Sequence, residues 1–167
     1  MIRRTTSALA VAAAAAVTLA CAGAGVAGAD PITDSLEALP SAVIGGPSTL
    51  TWVPSGKAMP VTYTNRTRSG QHCEFKHADP GAVQLMQQAA TAAAGIPPLA
   101  RFVVDVADSQ IGAVKEVDAP VHVAAGTGFT WMKSLIPGRA YGIYSRCTFD
   151  DDPSTIEVAF TYYPPLG

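Results

Sequence analysis

Three histidines, a run of three aspartates and a pair of cysteines are the residues of this chain best suited to chemistry. His72, Cys73 and His77 are types that ligate a transition metal. On an extended strand, however, positions 72 and 77 differ by an odd number and point to opposite faces. His122 stands alone between Val121 and Val123, on the expected solvent side. Asp150-Asp151-Asp152, with Glu74 or Asp118, offers oxygens for calcium. Calcium loops space their ligands and use a glycine for the sharp turn, whereas three adjacent aspartates before Pro153 fit a plain turn. No metal and no cofactor are therefore expected.

Catalytic signatures are missing from the sequence. It has no G-x-S-x-G elbow, no H-E-x-x-H, no phosphate-cradling loop and no dinucleotide fingerprint. Ser69, His72 and Asp79 supply the types of a nucleophilic triad, but no spacing recommends them. Glu74 and Glu157 read as solvated carboxylates on a sheet. Asn65-Arg66-Thr67 matches a glycosylation sequon and reads as a polar turn. The chain is thus expected to be non-catalytic. Its best recognition candidates are Lys133, Tyr144, Arg146 and Tyr163. Tyr144 and Tyr163 fall on the outward parity of their strands, near the two cations, a composition suited to a protein or glycan partner.

The elements that would carry these residues read mainly as strands. Leu50 and Trp52, Val61 and Tyr63, and Cys73 and Phe75 alternate with polar neighbours. So do Phe102, Val104 and Val106, then Val121 and Val123, Phe129 and Trp131, and Tyr141 to Cys147. Ile156, Val158, Phe160 and Tyr162 make the strongest strand. The segments about Asn65–Gly70 predict a hairpin joining the strand of Tyr63 to that of Cys73. One helix is expected at about 79–94. Asp79 suits its N-cap and Pro80 its first turn, and Gly95 and Pro97-Pro98 stop it. About seven short strands with Gly/Pro turns predict an antiparallel β-sandwich over 48–167, preceded by an N-terminal arm at 30–47. The Ala-rich helix (82–94) against the sheet leaves a second reading, a carrier of a small apolar ligand or lipid. A secreted enzyme is the third.

The segments Val123–Phe129 and Pro137–Tyr144 resemble the later strands of immunoglobulin-like domains, and Tyr141 after a Pro-Gly turn is similar to a tyrosine corner. The resemblance implies an immunoglobulin-like fold and no activity. Tyr141 precedes Cys147 by six residues rather than two, and no tryptophan lies in an antibody-like position between the cysteines.

The N-terminus sets the compartment. Arg3-Arg4, an apolar run from Leu9 to Ala20 and a small-residue cleavage site at Ala27-Gly28-Ala29 read as a signal peptide over 1–29. Its ending in Ala-x-Ala-Asp-Pro resembles exported proteins of high-GC Gram-positive (actinobacterial) type. The mature part has 13 acidic and 9 basic residues, a net charge of −4, which argues against a nucleic-acid partner. No later segment is apolar for long enough to cross a membrane. Of three cysteines, Cys21 leaves with the signal, so Cys73 and Cys147 are expected to pair in an oxidising compartment, tying the two sheets. The expected function is a secreted binding module of the cell envelope, cell wall or extracellular space. Thr18-Leu19-Ala20-Cys21 keeps a rival route open, lipid anchoring at Cys21. The exported protein is expected to begin at Asp30. Its intact mass checks this, and a diacylated Cys21 would place the domain on the membrane instead.

Overall fold

Alternating apolar residues bury one face of a strand, and here that pattern builds two sheets stacked face to face. A computed structural model describes residues 39–53, 55 and 57–164. The segment 1–29 read as a signal peptide, Cys21 and the first part of the expected arm lie outside the described residues. Nine strands and two helices follow in the order β1 (Ser41–Ile44), β2 (Thr49–Trp52), β3 (Ala58–Thr64), β4 (Gln71–Ala78), α1 (Pro80–Ala92), α2 (Pro97–Gln110), β5 (Val114–Lys115), β6 (Val121–Val123), β7 (Gly128–Ser134), β8 (Tyr141–Phe149) and β9 (Thr155–Tyr163). The smaller sheet runs β2-β3-β7. The larger runs β1-β9-β8-β4, with β5 and β6 both paired to the far edge of β4.

The fold is mainly β with two sheets, as expected, with several corrections in detail. The arm is not separate: residues 41–44 form β1, which pairs parallel with β9, so the sandwich is not wholly antiparallel. The turn at 65–70 does not close a hairpin, because β3 and β4 belong to different sheets. The largest change is α2, where Phe102, Val104 and Val106 were expected to form a strand. Pro97-Pro98 opens this helix rather than only ending the one before, since proline is preorganised for a first turn. Helical spacing wins because Ala100 and Val104 are buried on one face, beside half-buried Val103 and Ala107.

The two helices cover much of the outer face of the larger sheet, so its central part is buried on both sides. Between the sheets lie Met59, Val61, Tyr63, Phe75, Trp131, Tyr141 and Ile143. Under the helices lie Ala42, Ala90, Ala93, Ala100, Val104, Ile156 and Val158. In β8, the five residues Tyr141–Ser145 are all buried. The helix contact is close at Gly142: a Cβ there would sit 2.6 Å from Val83 Cβ, so only glycine lets α1 settle on β8. Asp79 accepts from the N–H groups of Gly81 and Ala82, capping α1 as its sequence predicts.

Cys73 and Cys147 form a disulfide. They sit directly opposite each other on β4 and β8 of the same sheet, 4.0 Å apart at Cα, so the bridge staples neighbouring strands and does not tie the two sheets. It closes a sequence separation of 74 residues, a constraint of about 4–5 kcal/mol on the unfolded chain in the entropic picture. Cys73→Ser is expected to lower stability by about 2–5 kcal/mol, read as a lower urea midpoint. Two free thiols in the protein purified without reductant would refute the bridge.

Candidate functional site

The four expected patch residues go to different surroundings. Tyr144 is fully buried beneath the helices, where its hydroxyl donates to the Asp108 carboxylate. Burial is the main reason its pKa rises, reinforced by that bond. Lys76 holds the other Asp108 oxygen at 2.7 Å. Arg146 shares this face of β8 and pairs with Asp105 of α2 at 2.6 Å. Tyr163 stands edge-on to Trp52, ring centroids 5.0 Å apart. Lys133 belongs to the other sheet and is 6% exposed. Outward parity meant burial for Tyr144 because a second helix, not solvent, covers that face.

Lys133 is the centre of a buried charged cluster. Its Nζ lies 2.6 Å from Glu116 Oε1, 3.2 Å from His77 Nδ1 and 4.6 Å above the Tyr141 ring. His77 Nδ1 is itself 2.5 Å from the same Glu116 oxygen. Burial lowers the His77 pKa, and Lys133 lowers it further, against the pull of Glu116. The Tyr141 hydroxyl accepts from the Ile136 N–H at 3.1 Å, fixing the turn before β8.

Glu157 is not a solvated partner of Glu74. It is 1% exposed, between the sheets. It accepts from the Ser48 N–H (3.1 Å), the Ser48 hydroxyl (2.7 Å) and the Gln71 side-chain amide (2.8 Å). The Tyr63 hydroxyl donates to Gln71 Oε1 at 2.7 Å, and burial raises the Tyr63 pKa. This network satisfies a buried carboxylate with neutral donors.

The remaining candidates, Asp79 apart, fall near one end of the large sheet. The three aspartates diverge. Asp151 accepts from the Ser69 hydroxyl (2.6 Å), Asp152 caps the turn at Ser154, and Asp150 faces two histidines. Ser69, His72 and Asp79 form no triad, since Asp79 is spent on α1. Asn65 is buried, its amide donating to Ser69 O and Val123 O, which makes the sequon position a turn brace. His122, isolated in sequence, pairs opposite His72 across β4 and β6, and Asp150 reaches both rings. The short strand β6 carries too little pattern for that pairing to be read in advance.

Two further surfaces matter. Along α2, Leu99, Phe102 and Val106 are exposed, Phe102 at 64%. An open groove of about 370 Å³ runs between α1 and the strands β1, β2 and β9, with Leu50, Val158 and Phe160 on its walls beside Gln87, Thr91 and Thr51. No family model matches the chain, and no curated protein matches its sequence.

Because His77 is held neutral in the fold, the unfolded chain binds its proton first as pH falls below about 6.5. That share of stability is present above about pH 6.5 and is lost as pH falls toward the lowered folded pKa. The urea midpoint is expected to drop between pH 7.5 and 5.5, and to drop less in His77→Gln. An equal drop in both proteins would remove His77 from the acid response.

Proposed function

We propose that this chain is an exported, non-catalytic binding module of the bacterial envelope or extracellular space, built on an immunoglobulin-like sandwich, and that α2 presents its recognition surface to a protein partner. The observation that carries the reading is the exposed strip Leu99, Phe102 and Val106. Their i, i+3, i+7 spacing puts them along one side of the helix. They lie beside the buried face of Ala100 and Val104, so α2 is apolar over more of its circumference than its own packing uses. An exposed aliphatic strip with one central aromatic suits a protein groove better than a glycan, which needs converging polar groups.

Strand order supports the immunoglobulin-like part. β2, β3 and β7 face β4, β8 and β9, the division of first, second and fifth against third, sixth and seventh strands in that fold. The segment from α1 to β6 takes the place of the fourth strand. The Tyr141 hydroxyl bond to the Ile136 backbone matches a tyrosine corner. The disulfide departs from the pattern by staying within one sheet.

The carrier reading has less support. The contact between helices and sheet is filled by Ala90, Ala93, Ala100, Val104, Ile156 and Val158, and the groove beside α1 is open and partly polar.

A photoreactive residue placed at position 102 in the producing organism is expected to give a discrete protein adduct. The same residue at exposed Thr130, on the small sheet and away from the groove beside α1, is the control. Adducts no stronger at 102 than at 130 would sink the proposal.

A further inference from the structure

We propose that His72, His122 and Asp150 form a binding site for one divalent transition-metal ion of the zinc type. The three residues come from three separate segments, the start of β4, the short β6 and the turn after β8. The β4–β6 register sets His72 and His122 directly opposite each other, with ring centroids 4.9 Å apart. Asp150 lies between their nitrogens. Its Oδ1 is 3.1 Å from His72 Nδ1 and its Oδ2 is 2.9 Å from His122 Nε2, and one donor atom from each residue falls within 4.8 Å of the other two. A tetrahedral zinc ion with bonds of about 2.0–2.1 Å sets its donors roughly 3.3 Å apart. The observed separations bracket that value, so modest side-chain rotation brings all three onto one ion.

The donor set selects the class of metal. Two imidazoles and one carboxylate suit zinc, copper, nickel or cobalt, whereas calcium wants six or more oxygens. Three protein ligands leave a position open, as in sites that take water or an outside ligand. All three side chains face solvent, beside a groove of about 280 Å³ that His72 shares with Arg101, Arg146 and Thr148.

Gly70 supplies an independent observation. Its φ is not among the positive ones, so the backbone does not demand glycine there. A Cβ at this position would lie 2.2 Å from Asp150 Oδ2 and 2.8 Å from His122 Nε2. Glycine at 70 therefore keeps clear the space in which the donors meet. The Gly70 carbonyl also accepts from the Asp150 N–H at 2.9 Å, holding the Asp150 backbone beside that space. Asp151 is turned away by Ser69 and contributes no ligand.

The test uses the exported protein purified without a histidine tag, stripped with chelator and titrated with zinc chloride by calorimetry. Cobalt(II) absorption serves as a second probe. One ion per chain is expected, with a rise in thermal midpoint on binding. Asp150→Ala and the double variant His72→Ala/His122→Ala are expected to weaken binding roughly tenfold or more. Gly70→Ala should weaken it as well, although it removes no donor. Asp151→Ala should bind as the parent does. Thermal unfolding of each metal-free variant establishes that it is folded. Loss of binding in the donor variants and in Gly70→Ala supports the site. Absence of uptake at millimolar zinc, or equal affinity in the double histidine variant, overturns it. Affinity unchanged by Gly70→Ala would also count against it, marking the uptake as adventitious binding to surface histidines.

Discussion

The larger sheet is buried on both faces where the helices cover it, along Tyr141–Ser145 of β8, and much of the structure follows from that constraint. A sheet covered on one side can turn charged residues outward to water. Here β8 has no such side along Tyr141–Ser145. The charged and phenolic side chains that reach the helix face are paired there, although Arg146 Nε has no partner of its own. Tyr144 and Lys76 share Asp108 in the layer between sheet and helices, while Arg146 and Arg101 share the more exposed Asp105 at its margin. The carboxylates come from α2, so this helix supplies both apolar cover and counter-charge. The close seat of α1 at Gly142 and the small residues Ala90, Ala93 and Ala100 keep that layer thin.

The other face obeys the same rule with different chemistry. Aromatic rings fill most of the space between the sheets: Phe75 lies 4.5 Å from Trp131 and 5.6 Å from Tyr63, centroid to centroid. The charged intrusions are Glu157, with its neutral donors, and the Lys133–Glu116–His77 cluster at one margin, while the Ser145 hydroxyl and the Trp131 indole N–H are buried there without a hydrogen-bond partner. Removing one partner from either group would leave an unmatched buried polar atom, which costs more than the intact pair contributes. Such groups define one arrangement of the sheets more than they deepen its stability.

Much of this was legible in residue order. Alternation of Val61 and Tyr63, of Tyr141 to Cys147 and of Ile156 to Tyr162 marked strands that form where expected. Asp79-Pro80 marked the start of α1, and the oxidising compartment expected from the N-terminus pointed to the cysteine pair that forms. The misread segment was Phe102-Val103-Val104-Asp105-Val106. β-branched residues there favour a strand and mimic a period of two. The longer spacing Ala100, Val104, Ala107, Ile111 decides for helix, because it alone offers a face to the sheet. Burial of Tyr144 and Glu157 was illegible for the same reason: parity tells which side a residue faces, not what covers that side. The meeting of His72, His122 and Asp150 depends on a three-residue strand pairing at a sheet edge, which no local pattern encodes.

The placement of the disulfide has a mechanical consequence. Covalent reinforcement lies along the β4–β8 ladder, within a sheet already held by continuous hydrogen bonding. The small sheet β2-β3-β7 is held to the large one without a covalent bridge, by side-chain packing, the Glu157 network, the pairing of Lys133 with Glu116 and His77, the Trp52 indole bond to the Tyr162 carbonyl at 2.9 Å and its chain connections. Cohesion in this molecule is thus graded by layer. The disulfide-stapled sheet with its helices is the more persistent body, and the three-stranded sheet is the leaf whose amides open to solvent at the lower free energy.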